Sequence, residues 1–203
     1  MILDFNVKEK GDYMDKPNVF VSSTIYDFAD LRSALKYWLE EMGFGVRTSE
    51  FNDFVKDSSE NSYDACFKAI EECDYYILLI GSRVGGLFSK EPKISITEKE
   101  YQIANQLANE GKLKKLFVFV RKDIWTIKED RKALAKFLTD EYVTDKEIQV
   151  EEIVNHSSKF VNDAEFIIGF INEVGKVDEM IKAVKSDQMR PKYNWINTFS
   201  TFE

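Results

Sequence analysis

The chain has 203 residues, of which 44% are hydrophobic and 32% charged, with 36 acidic against 28 basic residues and a net charge of -8. Such proportions are typical of a globular protein with one sizeable core, and they exclude a disordered chain. The acidic balance argues against a nucleic-acid partner or an anionic membrane surface, because both require a concentrated basic face.

Membrane, secretion and metal signals are weak in the sequence. No apolar run approaches the roughly 20 residues of a membrane span, and residues 1–4 lack the cationic start of a signal peptide. Cys66 and Cys73 lie seven positions apart on a predicted helix, about 10 Å along its axis and too far apart for a disulfide. The single histidine, His156, lies in a polar stretch typical of a surface loop, and no residue set has metal-ligand spacing. We therefore expect a cytosolic protein without a metal site.

Strands and helices alternate along the first half of the chain. Residues 1–17 are polar up to Pro17 and predict a loose leader. Strands are then predicted at residues 19–21, from 44, at 75–80 and at 116–120, and helices at 28–42, 63–70 and 96–110. The unbroken apolar run at 75–80 is typical of a central parallel strand. We expect an α/β fold with a doubly wound parallel sheet in the order 2-1-3-4-5, any fifth strand lying at the edge.

The rhythm changes after Arg121. Apolar residues recur at helical spacing near 133–138, at 160–174 and at 177–184, and residues 147–154 suit either a short strand or a helix. We predict an α/β domain at 18–145 and a helical extension at 146–203 packed on the same domain. The tail is aromatic, with Tyr193, Trp195, Phe199 and Phe202. It either folds back over the edge of the sheet or the added helices, which we favour, or forms a partner surface.

Two turns mark the expected ligand site. In a doubly wound sheet, ligands bind at the carboxyl ends of the strands where the strand order reverses, here between the first and third strands. The first turn offers hydroxyls and backbone N–H groups at a helix start, and the second offers glycines and a guanidinium suited to phosphate. The candidate ligand-binding residues are Ser22, Ser23, Thr24, Gly81, Ser82 and Arg83. The structural alternative is that these are N-caps and ordinary turn residues.

A carboxylate near the start of the third helix is the candidate catalytic group. Both Ser95 with Glu98 and Thr97 with Glu100 have the spacing of a capping box. On a helical wheel, Glu100 lies with the apolar stripe that faces the sheet, whereas Glu98 lies among polar residues. We therefore expect Glu98 to be a solvated cap, and Glu100 to be either functional or satisfied by backbone N–H groups. Arg32, on the polar side of the first helix, is expected to be solvated, with the alternative that it reaches the rim of the site.

Three motifs in order resemble one family. They are residues 19–24 with Tyr26, Asp27, Leu31 and Arg32; the glycine turn at 80–85; and residues 95–101. Together they resemble a TIR-like family, the domain of unknown function 4062, over about residues 18–121. Val84 departs from the family pattern, which usually has a tyrosine before the glycine, and this removes an expected aromatic wall of the pocket. The resemblance implies a flavodoxin-like fold shared with TIR domains and nucleoside deoxyribosyltransferases.

The resemblance also implies an activity. In both groups of relatives, a glutamate on the helix after the third strand acts on an N-glycosidic bond, and Glu100 corresponds to it. The implied function is cleavage of the nicotinamide–ribose bond of NAD, by hydrolysis or cyclisation, in bacterial antiviral defence or signalling. Residues 22–24 would then seat the ribose and phosphates, and Arg83 would neutralise the pyrophosphate. NAD enters as a substrate, no cofactor is expected, and self-assembly is expected to complete the site.

Two alternatives to this activity stay open. One is a non-catalytic signalling module that binds a nucleotide or another TIR-like domain, which the missing tyrosine at Val84 slightly favours. The other is a nucleoside or nucleotide N-glycosyl hydrolase or transferase in which Glu100 is the nucleophile.

Overall fold

A computed structural model of the chain describes residues 16–49, 62–142, 163–186, 189 and 194–200. In chain order the elements are β1 (Asn18–Ser22), α1 (Ile25–Glu41), β2 (Gly45–Arg47), α2 (Ser62–Glu71), β3 (Tyr75–Ile80), β4 (Leu87–Lys90), β5 (Lys93–Ser95), α3 (Ile96–Asn109), β6 (Lys115–Arg121), α4 (Lys122–Tyr142), α5 (Ala164–Val174), α6 (Val177–Lys185) and β7 (Ile196–Phe199). Most of the predicted leader, the element predicted at residues 147–154 and His156 lie outside the described residues. None of the described helices is both long and apolar enough to cross a bilayer.

The main sheet has five described strands, all parallel, in the order β2-β1-β3-β6-β7. This order confirms the predicted 2-1-3-4-5 arrangement with the fifth strand at the edge. β3 lies at the centre between β1 and β6, as its unbroken apolar run predicts. The edge strand β7 comes from the aromatic tail, where only helices or a covering segment were expected. Part of that tail therefore folds back onto the edge of the sheet, as favoured, and does so by adding a strand to it.

The amino ends of the three central strands are joined by Asp74. Its carboxylate accepts the backbone N–H of Asn18 at 2.9 Å and pairs with the Lys114 ammonium at 2.7 Å. The hydrogen bond from Lys114, followed by that from Asn18, lowers the pKa of Asp74. Because the three strands are parallel and aligned at this end, their carboxyl ends also meet at one edge.

Two apolar layers enclose the sheet. The layer beneath α1 contains Val19, Val21, Phe28, Val46 and Leu79. The layer on the other face packs α2, α3, α4 and α5 on the sheet, and its members include Ile70, Tyr76, Ala104, Val118, Ile124, Ile167 and Ile171. Each fully buried aliphatic side chain of this kind contributes about 1.5–3 kcal/mol. α5 thus shares the core of the α/β unit, while the predicted boundary at residues 145 and 146 lies outside the described residues and stays a prediction.

Helix α1 corrects the expectation for Arg32. The helix turns its Phe28 and Arg32 side toward the sheet, and leaves Trp38 and Met42 exposed. Arg32 is only 1% exposed, so the expectation that it would be solvated was wrong. A buried guanidinium is tolerated where hydrogen bonds replace its water, and Arg32 finds such an acceptor in the β1 turn. Phe28 itself has non-helical dihedral angles (φ -133°, ψ 17°), which set the first turn of α1 apart from the rest.

A hairpin that the sequence pattern did not predict leads into α3. β4 and β5 form a two-stranded antiparallel sheet between β3 and α3. Ser95 is both the last residue of β5 and the N-cap of α3. The hairpin therefore fixes where α3 begins and, with it, where Glu100 lies.

Candidate functional site

A cleft of about 260 Å³ opens at the carboxyl end of β1, between the β1 turn and the first turns of α2 and α3. Its polar lining comes from Ser23, Thr24, Ser49, Ser62, Thr97 and Glu100. Ligand pockets usually have about 300–1,000 Å³. The cleft therefore suits one nucleoside-sized group better than a whole dinucleotide.

Glu100 lines this cleft from α3. Its side chain is only 5% exposed, and one of its oxygens, Oε2, accepts a hydrogen bond of 2.5 Å from the Ser22 hydroxyl. Ser22 is the last residue of β1, so the bond joins the catalytic candidate to the central sheet. Glu100 is thus a buried, anchored carboxylate that borders a cavity.

The neighbouring residue, Ser23, is hydrogen-bonded to a buried side chain of the opposite charge, Arg32. Arg32 donates from Nη1 to the Ser23 hydroxyl oxygen at 2.8 Å, and that hydroxyl donates to the Thr24 carbonyl at 3.1 Å. Successive side chains of a strand point to opposite faces. The end of β1 therefore lies between a buried carboxylate on one side and a buried guanidinium on the other.

Tyr76 lies in the core beside this pair of charges. It pairs with Phe20 across β1 and β3 and is completely buried. Burial raises the pKa of Tyr76 well above its ordinary value, and the negative charge of Glu100 raises it further. The Ser22 hydroxyl is close enough to offset part of this rise, but no residue that the structure describes forms a well-aligned hydrogen bond with the phenol. Tyr76 is therefore a neutral phenol next to the carboxylate.

Thr24 does not serve as a helix cap, although it occupies the N-cap position of α1. Its side chain makes no capping bond, and its hydroxyl is buried without a hydrogen-bond partner in the described part of the chain. Gly85, with a φ of 77°, lies so near that a Cβ there would be 2.9 Å from Thr24 Cγ2. The structural alternative for the β1 turn thus does not hold for Thr24, whose side chain lines the cleft.

The turn after β3 closes on Asp27 instead of the cleft. The Asp27 carboxylate accepts the Arg83 backbone N–H at 2.9 Å and the Ser82 hydroxyl at 3.3 Å, and it pairs with Arg83 Nε at 3.2 Å. Gly81 is required there, since a Cβ would lie 2.6 Å from Asp27 Oδ2. Gly81 and Arg83 line a separate cavity of about 20 Å³, which they share with Thr24.

The structure therefore brings together only part of the predicted site. Ser23, Thr24 and Glu100 line the cleft and Ser22 bonds Glu100, whereas Gly81, Ser82 and Arg83, like Ser22 itself, are not among the described lining residues. The glycines that border the cleft are Gly85 and Gly86, later in the same turn. These glycines belong to the same turn that the sequence pattern pointed to, but the pattern could not show which glycines of the turn Asp27 would cover.

Glu98 caps α3, as predicted, but it is not fully exposed. Ser95 and Glu98 form the capping box, with bonds of 3.0 and 3.2 Å. Glu98 is half-buried near Glu173 of α5, so its expected full exposure was wrong. Burial first, and the charge and hydrogen bond of Glu173 in addition, raise the pKa of Glu98 to about 7 against a smaller opposing hydrogen bond from Ser95. A wheel for α3 alone cannot show that α5 packs against this side.

Two aromatic residues of the cleft were missed. Tyr63, at the start of α2, and the exposed Tyr26, at the start of α1, line the cleft, whereas Val84 packs against the main core. Tyr63 had a sequence signal, because the start of a helix that precedes a central strand lies at the carboxyl edge of the sheet. Cys66, expected in the core, is buried and also borders the cleft. In the described ranges, no cluster of three or more His, Cys, Asp or Glu side chains is arranged to hold a metal ion.

Comparison with known proteins gives a family and no activity. No curated protein matches the chain. The family model described as Domain of unknown function (DUF4062) matches residues 18–167, which is about three quarters of the sequence. The match runs from β1 into α5 and so extends well beyond the motifs at residues 18–121. On this match, the chain belongs to the DUF4062 family.

Proposed function

We propose that this protein cleaves an N-glycosidic bond, and that its substrate is the nicotinamide–ribose bond of NAD. The observation that carries the proposal is the buried Glu100 carboxylate, anchored by Ser22 and bordering a nucleoside-sized cleft. Among the described residues that line the cleft, Glu100 alone carries a formal charge. A single negative charge on the described part of the lining favours a ligand group that is neutral or positively charged.

The chemistry of the bond fits a buried carboxylate. When the bond between C1′ and the ring nitrogen breaks, its electron pair leaves with nicotinamide, and positive charge develops on the ribose as in glycoside cleavage. A carboxylate already fixed in a site of low polarity stabilises that charge without reorganisation. Water then adds to C1′ and loses a proton in hydrolysis, or an adenine nitrogen adds to it in cyclisation.

NAD and ordinary nucleosides differ in whether their leaving group needs a proton, and this difference favours NAD as the substrate. The nicotinamide ring of NAD is a cation and departs neutral, so it needs no proton from the protein. A purine or pyrimidine base usually leaves only after a general acid has protonated it. Apart from Glu100, the described residues that line the cleft include no histidine, lysine or second carboxyl group that could serve as this general acid. The geometry therefore favours NAD.

The remaining cleft residues position the substrate in this proposal. In this proposal Ser23 and Thr24 would contact the ribose, and the rings of Tyr26 and Tyr63 would contact the base. Because the cleft holds one nucleoside-sized group, the phosphates and adenosine would extend beyond its rim. We assign no phosphate role to Arg83, since its guanidinium pairs with Asp27.

Incubation of the purified protein with NAD and, separately, with deoxynucleosides tests the proposal. The protein should be used at high concentration, since activity in TIR-like relatives depends on assembly, and nicotinamide, ADP-ribose and cyclic products should be separated by chromatography. Glu100→Gln serves as the matched blank. Nicotinamide released by the wild type and not by the variant supports the proposal. Free base from deoxynucleosides instead would favour a nucleoside glycosyl hydrolase or transferase, and bound but intact nucleotide would favour a non-catalytic signalling module.

A cytosolic role in bacterial defence or signalling belongs to the same proposal. It is supported by the resemblance of the three motifs to TIR-like proteins. It is further supported by the scarcity of cysteine, with two residues in 203.

A further inference from the structure

A second cavity, of about 510 Å³, opens at the same edge of the sheet as the cleft. It lies between the first half of α1 and the carboxyl ends of β6 and β7. Its described lining includes three aromatic and three charged residues, which are Tyr26, Phe28, Phe199, Asp27, Asp30 and Arg121. Ligands of such sheets bind at the carboxyl ends of the strands, and ligand pockets usually have about 300–1,000 Å³. The second cavity therefore has the position and the size of a ligand site.

The second cavity adjoins the cleft at the start of α1. Ile25 and Tyr26 line the cleft, whereas Tyr26 and Asp27 line the second cavity. The Tyr26 side chain, which belongs to both, is 84% exposed, so it stands between two open spaces and does not seal one from the other. A ligand that fills the cleft can thus continue past Tyr26 into the second cavity without entering the core.

The turn between the two cavities suits a negatively charged linker. The first backbone N–H groups of a helix have no acceptor within the helix, and the N-cap residue Thr24 makes no side-chain capping bond. The Thr24 hydroxyl is itself buried without a partner in the described residues. The one carboxylate of this turn, Asp27, faces the turn after β3, where it accepts the Arg83 backbone N–H. Phosphate oxygens are suitable acceptors for the N–H groups that remain.

The charged groups of the second cavity suit an adenine base. Asp30 is exposed, and the partly exposed Arg121 pairs with Asp123 at 3.1 Å. An ion pair in contact with solvent is weak, so the Arg121 guanidinium can exchange Asp123 for an atom of a ligand. The edge of adenine has an amino donor at N6 beside an acceptor at N7. A carboxylate acceptor and a guanidinium donor complement these two groups, and the Phe199 ring offers an apolar surface to the base.

We propose that the second cavity is a subsite for the adenosine half of a dinucleotide whose nicotinamide riboside half occupies the cleft. The diphosphate of this dinucleotide crosses the first turn of α1 beside Tyr26. The inference rests on the proposed function for the identity of the dinucleotide. Binding of adenosine monophosphate (AMP) to the second cavity, however, requires no turnover and can be measured by itself.

The binding test titrates AMP into the wild type and two variants of α1 by calorimetry. Ala34 is half-buried and lines the second cavity, so Ala34→Phe fills part of it. Ser33 is exposed and is not among the described lining residues, so Ser33→Phe adds the same ring outside the cavity. We expect the Kd of AMP to rise at least tenfold in the Ala34 variant and less than twofold in the Ser33 variant. If Ala34→Phe does not fold, Ala29→Phe replaces it at an exposed position of the same lining.

The kinetic test compares NAD with nicotinamide mononucleotide, which lacks the AMP half. We expect kcat/KM of the wild type to be at least tenfold higher for NAD, because the second cavity binds only the larger substrate. The ratio of the two values should fall at least fivefold in Ala34→Phe and stay unchanged in Ser33→Phe. Chromatography of released nicotinamide measures all of these rates.

The two tests keep this inference distinct from the proposed function. A wild type that releases no nicotinamide, but binds AMP more tightly than Ala34→Phe does, rejects NAD cleavage and retains the subsite. Nicotinamide release with equal kcat/KM for the two substrates retains the cleavage and overturns the subsite. The subsite is also overturned if AMP at millimolar concentration does not bind to the wild type. A loss of AMP binding in Thr24→Val and not in Ala34→Phe would place AMP in the cleft and overturn it as well.

Discussion

The turns that follow β1 and β3 lie at the same edge of the sheet and contain similar residues, yet they do different work. After β1, Ser22 binds Glu100, and Thr24 borders the cleft with a buried hydroxyl that has no partner in the described residues. After β3, the polar groups of Ser82 and Arg83 are already bonded to Asp27. The position of a turn in the fold therefore shows where a site can form, while its existing hydrogen bonds decide which side chains are available for a ligand.

The largest expected effect comes from Glu100, the carboxylate that Ser22 binds at the end of β1. Glu100→Gln should lower kcat for nicotinamide release by about a thousandfold or more, because the amide cannot stabilise a cationic transition state. The thermal midpoint should change little, since a glutamine oxygen still accepts the Ser22 hydroxyl. Glu98→Gln is the matched control and should retain near-normal activity, as glutamine also completes a capping box. Equal losses from the two changes would identify Glu100 as structural.

The next largest effect tests the contact of the turn after β3 with Asp27. Gly81→Ala introduces a Cβ 2.6 Å from Asp27 Oδ2 and 2.8 Å from the Phe28 ring. We expect a destabilisation of about 1–3 kcal/mol in urea unfolding, as is usual for overpacking in a core. Gly169→Ala in α5 is the control, because a Cβ there meets nothing within 4 Å, and it should stabilise the protein by about 0.5–1 kcal/mol. Equal stability of the Gly81 variant and the wild type would show that the contact with Asp27 is loose.

Loss of one side chain from each turn sharpens the contrast. Thr24→Val removes a buried hydroxyl of the cleft while keeping its shape, so we expect KM to rise about tenfold with stability unchanged within about 0.5 kcal/mol. Arg83→Ala removes a guanidinium that is 59% exposed and paired with Asp27, and KM should change less than about twofold. Steady-state kinetics on NAD measures both. A larger rise in KM for the Arg83 variant would restore the predicted phosphate contact.

The smallest effect comes from Glu98, the other carboxylate of α3. Its pKa is raised from 4.5 to about 7, so the folded state binds its proton more tightly than the unfolded state. The stabilisation is complete below pH 4.5 and is lost as the pH rises through about 7. Because the side chain is only half-buried, we expect a loss of about 1 kcal/mol. In urea unfolding, the stability of Glu98→Gln should match that of the wild type at pH 5 and exceed it at pH 8. If the stability of both proteins changes in the same way with pH, the protonation of Glu98 does not contribute to stability.

The order of the main sheet follows from the sequence because its strands carry their own signal. The apolar run of β3 and the alternation of strands with helices predict a central parallel strand and its neighbours without further information. β7 carries little such signal, since it has four residues and two of them are Asn197 and Thr198. Its pairing with Val118 joins residues far apart in the chain, and no local pattern reveals that.

The candidate site was predictable to the extent that it depends on one helix. The wheel of α3 places Glu100 toward the sheet, which its burial confirms. Arg32 was missed because its burial depends on the Ser23 hydroxyl, nine positions away on another element. The rule that charges stay outside holds only until a partner of this kind appears. Interactions between elements, such as those of Asp27 with the β3 turn and of Glu173 with Glu98, lie beyond what periodicity can show.

The short edge strand has a consequence for contacts between molecules. β6 consists largely of apolar β-formers between Lys115 and Arg121, and an uncovered strand of this composition offers a template on which another chain can pair. β7 occupies that edge with four residues, and the Asn197 amide adds a bond of 3.5 Å to the Val118 carbonyl. With Asn197 and Thr198 exposed, the described part of the sheet ends in a brief polar strand. β7 thus protects against edge-to-edge aggregation at the place where the central sheet would otherwise be most prone to it.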